Sequence, residues 1–106
     1  MTKDSFNEYI WEQFSFLGSI TIRKMFGGAG IYLDSVMFGL VDQDTVYLKA
    51  DKSTIPEFEA LGMGPFIYKA KGKPVRISYY QLPEDILEDQ DQLTLWAEKA
   101  VKVSRK

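Results

Sequence analysis

The 106-residue chain contains neither cysteine nor histidine. Without cysteine there can be no disulfide, no thiolate zinc site and no thiol nucleophile. Without histidine the commonest metal ligand and the commonest general base are gone, which leaves any catalysis to carboxylates, lysine or tyrosine. No apolar run approaches the ~20 residues needed to cross a bilayer, and the N-terminal MTKDSFNEY has no apolar segment of the signal-peptide kind. A cytoplasmic location with no membrane contact is therefore expected. An excess of charge of one sign is lacking too: 13 Lys and Arg oppose 15 Asp and Glu for a net charge of -2. No global field would draw the molecule to DNA or an anionic membrane, so only a local basic patch could do so.

What is present fits one globular domain over residues 1–106, with 45% hydrophobic, 26% charged and 14% aromatic residues, long enough for one sheet and a covering layer of helices. Ser5-Phe6-Asn7-Glu8 fits a capping box and predicts a helix with an apolar stripe of Phe6, Tyr9, Ile10, Phe14 and Leu17, stopped by Gly18. Trp11 lies off that stripe, so it either covers the core edge or faces a partner. Residues 20–26 read as a strand that Gly27, Gly28 and Gly30 interrupt, a bulge or sharp corner, before residues 29–33 resume it. Asp34-Ser35 has the length of a two-residue hairpin turn, although Ser35 suits positive φ poorly; residues 36–41 and 45–50 follow as strands around Asp42-Gln43-Asp44.

Ser53, Thr54, Pro56 and Glu57 open a short helix over residues 55–61, and residues 65–70 and 75–80 form a hairpin across Lys71-Gly72-Lys73-Pro74. Pro83 begins the acidic PEDILEDQD, and from about Asp91 a last helix shows Leu93, Trp96, Ala97 and Ala100 on one face before a frayed VKVSRK. The order α-β3-α-β2-α with short turns predicts an α+β fold of two layers, a five-stranded antiparallel sheet with helices on one face.

The run Arg23-Lys24-Met25-Phe26-Gly27-Gly28, then GMGPFIYKAKGK, YYQLPEDILED and a late Leu93-x-x-Trp96-Ala97, resembles the N-terminal domain of the bacterial TfoX/Sxy competence regulators over nearly the whole chain. The resemblance implies a two-layer fold like that of secretion chaperones and carries over no catalytic residue. Full-length members of that family have a second, C-terminal helical domain and promote transcription of DNA-uptake genes together with the cyclic-AMP receptor protein. The chain is expected to be a stand-alone copy of the first domain, ending where the second would begin.

Several constellations carry two readings each. Gly28-Ala29-Gly30 is followed by strand-like alternation rather than a helix start, which favours a conformational corner over a phosphate cradle. Arg23 and Lys24, and separately Lys69, Lys71, Lys73 and Arg76, concentrate positive charge. With Tyr68, Tyr79 and Tyr80 nearby they could contact nucleic acid weakly, or simply solvate a hairpin edge. Glu84, Asp85, Glu88, Asp89 and Asp91 complement a helix start or dock a basic partner. If Phe38, Leu40, Val46, Leu48 and Ile77 face the helices, then Met37, Val41, Tyr47 and Tyr80 point away; with Trp11 these form a candidate interface for a protein partner or a second copy. No cofactor and no metal are expected. A non-enzymatic regulatory module is the leading expectation, with a stand-alone adaptor or chaperone-like domain, or a small-molecule binder at the glycine corner, as alternatives.

Overall fold

Two-residue turns dictate the architecture of the sheet. The computed structural model describes residues 3–25 and 27–106, with side chains from Ser5 onward. A first helix α1 (Lys3–Phe14) passes through a 3-10 turn (Ser15–Leu17) into four strands, β1 (Ile20–Met25), β2 (Gly28–Leu33), β3 (Val36–Asp42) and β4 (Thr45–Lys49). Helix α2 (Ile55–Ala60) leads to β5 (Pro65–Ala70) and β6 (Lys73–Gln81), and α3 (Glu84–Glu88) and α4 (Gln90–Ser104) complete the order. All strands join one antiparallel sheet in the order β1-β2-β3-β4-β6-β5.

The sheet thus has six strands, not the five expected. The extra one comes from the glycines: Met25 pairs with Gly28 and Arg23 with Gly30, so the chain reverses there instead of bulging within a single strand. Gly27 takes φ +79 in that reversal, a left-handed conformation that costs glycine nothing sterically. Phe26, the last residue of the predicted first strand, lies outside the described residues. Three other tight turns carry two left-handed residues each. Asp34 and Ser35 have φ 50 and 73, Gln43 and Asp44 48 and 57, and Lys71 and Gly72 53 and 80, the paired positive values of type I′ hairpins. The right-handed twist of the flanking strands selects this turn even where the residue, as with Ser35, suits it poorly.

A single hydrophobic cluster unites Ile10 and Phe14 of α1, Phe58 of α2, Ile86 and Leu87 of α3, and Leu93, Ala97, Ala100 and Val101 of α4 with Ala29, Ile31, Leu33, Phe38, Val41, Val46 and Leu48 of the strands. The predicted α1 stripe supplies two of its fully buried side chains, Ile10 and Phe14. Ser5, however, lies inside a helix that begins at Lys3, so it is not the cap. Helix α4 does have one: the Asp89 carboxylate accepts from the Asp91 and Gln92 backbone N–H groups at 3.1 and 3.2 Å. The expected frayed tail is helical through Ser104. Val101 and Val103 are buried, and ion pairs from Arg105 to Asp34 and from Lys106 to Asp51 hold the end.

Strand faces depart from simple alternation at one point. Ile31 pairs with Gly39, but the next residue, Tyr32, pairs with Met37, which leaves Phe38 as an extra residue in a β-bulge. The bulge resets the parity of β3. Val41 pairs with Val46 and is buried in the core, whereas Leu40 pairs with Tyr47 on the other side. Val41, expected to point away from the helices, therefore faces the core, and Leu40, expected to face the helices, does not. Tyr80 is likewise reassigned: it sits opposite Leu48 and packs its ring 5.7 Å from that of Phe58, which turns Ile77 away from the core side.

Candidate functional site

The side chains that alternate with the core set form a second face of the sheet, and it is aromatic and cationic. Arg23 and Met25 of β1 stand opposite Gly30 and Gly28 of β2. Tyr32 pairs with Met37, Leu40 with Tyr47, and Tyr47 and Lys49 with Gln81 and Tyr79. Gly30 leaves the space that Met25, Tyr32 and Met37 fill: a Cβ there would lie 2.8 Å from Met25 Cε and 2.9 Å from Tyr32 Cε1. Gly28 permits backbone approach, since its Cβ would fall 2.1 Å from the Val41 carbonyl oxygen.

The rings continue onto β5. Tyr47 meets Phe66 edge-on with centroids 5.0 Å apart, and Phe66 stacks on Tyr68 at 6.2 Å and 22°. Two cations lie over ring faces, Arg23 at 5.4 Å from the Tyr32 centroid and Lys49 at 5.1 Å from that of Tyr79, within the range of cation–π attraction. Burial, and after it the neighbouring Asp42, raises the Tyr47 hydroxyl above its usual pKa. Burial and then Tyr32 do the same for Tyr79. These hydroxyls stay protonated at neutral pH and so add no charge to the face.

The expected nucleic-acid residues do not share one surface. Arg23 and Lys24 are consecutive on β1 and face opposite ways; Lys24, opposite Ala29, lines a cleft of about 380 Å³ with Gly27, Gly28, Gln43 and Asp44. On the hairpin, Lys73 sits across from Ala70, two residues beyond Tyr68 and hence on the ring side. Lys69, opposite Pro74, and Arg76, opposite Ile67, take the other side, and Lys71 occupies the turn. All four hairpin cations are exposed. The expected protein-interface set divides as well. Met37 and Tyr47 lie on the ring face, Val41 and Tyr80 on the core side, and Trp11 on α1, where it is 48% exposed and its Nε1 donates to the Ile20 carbonyl at 3.0 Å.

Tyr32, Lys49 and Phe66 were not among the expected site residues. The first two were within reach of the sequence, because Ala29, Ile31 and Leu33 alternate strictly and leave Tyr32 outward, and Lys49 shares the parity of Tyr47. A second cleft of about 480 Å³, lined by Phe6, Tyr9, Val46, Leu82, Glu84 and Glu88 among others, lies between α1, β4 and α3. Among the described residues no group of three or more carboxylates is placed to hold a metal ion, and no helix is long and apolar enough to cross a membrane.

Among the described residues, element order and pairing define a mixed α+β protein, four α-helices with one six-stranded antiparallel sheet, whose second face presents rings and cations. Residues 12–104 match the model of the TfoX N-terminal domain, and the chain belongs to that family, as the Arg23 to Gly28 run and its companions suggested. A curated relative, the DNA transformation protein TfoX1 of Aliivibrio fischeri (strain ATCC 700601 / ES114), is 28% identical over 89 residues. The alignment covers 84% of this chain and 43% of that protein, so the chain spans less than half the relative's length.

Proposed function

We propose that the chain is a non-enzymatic regulatory module of DNA transformation, acting in the cytoplasm as one unit through contacts with other macromolecules. The observation that carries this reading is the family match over residues 12–104; the relative named for DNA transformation gives it its direction. In this reading the helices form one layer behind the sheet, and the ring face with Met37 and Tyr47 is the contact surface. A surface of half-buried rings suits macromolecular contact, because aromatic side chains supply contact area at low entropic cost.

The test is natural transformation in a host lacking the gene, complemented with the wild type or with Met37→Asp. Transformation falls without the gene, and the folded Met37→Asp variant fails to restore it. Unchanged transformation on deletion overturns the regulatory reading. Partners captured from such a strain would then favour an adaptor role. A second reading, a small-molecule binder, draws on the cleft beside Gly27 and Gly28, whose volume falls within the range of ligand pockets. Ligand-induced NMR shifts confined to Lys24, Gly28 and Asp44 would favour it.

A further inference from the structure

We propose that the ring face binds single-stranded nucleic acid, with bases stacked along Tyr68, Phe66 and Tyr47 and phosphates held by Arg23, Lys49, Lys71 and Lys73. This rests on reading the chain as a module that contacts macromolecules, and it names the chemistry of one occupant.

Charge segregation is the first support. The chain is acidic overall, with a net charge of -2, yet residues 65–81 hold no Asp or Glu and four cations, of which Lys73 shares the ring side, Lys71 occupies the turn, and Lys69 and Arg76 take the other side. Among the described residues, the ion pairs formed by Lys99, Arg105 and Lys106 all involve α4 and its end, and none engages the hairpin. Phosphate contact draws its affinity from such unneutralised cations.

Placement of the rings is the second support. Phe66 and Tyr68 lie nearly parallel, Tyr68 is 39% exposed, and Lys73 follows on the same side of the hairpin. Beside the hairpin Lys49 sits over Tyr79 of β6, and at the far edge of the sheet Arg23 sits over Tyr32. From β1 to β5 the sheet spans five strand spacings, about 24 Å, room for the roughly four nucleotides of a small single-strand site.

The same features disfavour other occupants. A duplex keeps its base faces stacked inside, so it could use the cations but not the exposed ring of Tyr68 beside Phe66. A second copy docking through this face would bring the cations Arg23, Lys49 and Lys73 of one protomer up to the same cationic face of the other. An acidic peptide would satisfy the cations and gain nothing from stacking. Asp42, beside Tyr47, is a carboxylate that opposes a phosphate here.

Fluorescence anisotropy of the purified chain tests this with a labelled single-stranded oligonucleotide of roughly 20 nucleotides, its duplex, and polyglutamate as competitor. The single strand binds more tightly than the duplex and resists polyglutamate. Its affinity falls about 20- to 50-fold between ~50 and ~200 mM salt, as neutralising three to four phosphates requires. Tyr68→Ala weakens binding about tenfold, while Tyr68→Phe retains it; Asp42→Asn tightens it. Duplex or polyglutamate binding as tightly as the single strand overturns the proposal. So does an unchanged affinity in Tyr68→Ala, or no binding at ~50 mM salt with ~100 μM protein. Because the assay makes no reference to transformation, absent binding leaves the regulatory reading standing, and an unchanged transformation frequency leaves this one standing.

Discussion

Phe38 and Phe14 meet edge to face with ring centroids 5.6 Å apart, and both are fully buried. Phe38 reaches α1 because it is the unpaired residue of the β3 bulge, between the Ile31–Gly39 and Tyr32–Met37 pairs. One residue thus anchors the first helix and sets which side of β3 faces the core. The ring face exists in its present form because Leu40, and not Val41, lies beside Tyr47.

Truncating that anchor should be costly. Phe38→Ala removes a ring from the centre of the cluster and leaves a void that the sheet backbone cannot close, a loss of about 3–5 kcal/mol. Urea unfolding followed by tryptophan fluorescence measures it. A change below ~1 kcal/mol would mean that α1 does not depend on this contact.

The glycines at the first reversal should respond unequally to alanine. At Gly27 an added Cβ meets nothing within 4 Å, so Gly27→Ala carries only the strain of its φ of +79, about 1–2 kcal/mol. At Gly28 the Cβ would lie 2.1 Å from the Val41 carbonyl oxygen, and backbone must move. Gly28→Ala is therefore the more destabilising of the two, by comparison of thermal midpoints; the reverse order would contradict this strand spacing.

Turn chemistry offers a gain instead of a loss. Asp44 holds φ 57 at the second position of its hairpin turn, where glycine is favoured. Asp44→Gly relieves left-handed strain at some cost in chain entropy and should stabilise by up to about 1 kcal/mol. A lowered thermal midpoint would show that the Asp44 side chain contributes more than its backbone strain removes.

Local patterns were legible in the sequence, and what depended on register was not. The α1 stripe, the short helix after Thr54 and the β5–β6 hairpin follow from spacing and from proline and glycine positions, which act over a few residues. The three close glycines were ambiguous between a bulge and a reversal, because both use the same conformations, and that choice decided the strand count. The bulge at Phe38 leaves no mark in VMFGLV, yet a one-residue slip exchanges the faces of everything after it, which is how Val41 was misplaced. Lys69, Lys71 and Lys73 share parity in the sequence, but the turn at Lys71 and Gly72 puts Lys69 and Lys73 on opposite sides.

Asp89 gives the fold a contribution that acid should remove. Its carboxylate accepts from the Gln92 side chain at 3.1 Å and from the Gln92 and Asp91 backbone N–H groups at the start of α4. These bonds, the Gln92 side chain foremost, hold its pKa below the usual carboxylate value. A depressed folded-state pKa means that the contribution is complete above the unfolded value of about 3.9 and is lost as pH falls through the folded one. Asparagine can still accept at the cap but does not titrate. Asp89→Asn should thus be less stable than the wild type at about pH 6, and the gap should narrow at about pH 3. Urea midpoints at the two values read it directly, and a gap that stays constant would mean that the charge on Asp89 does not stabilise α4.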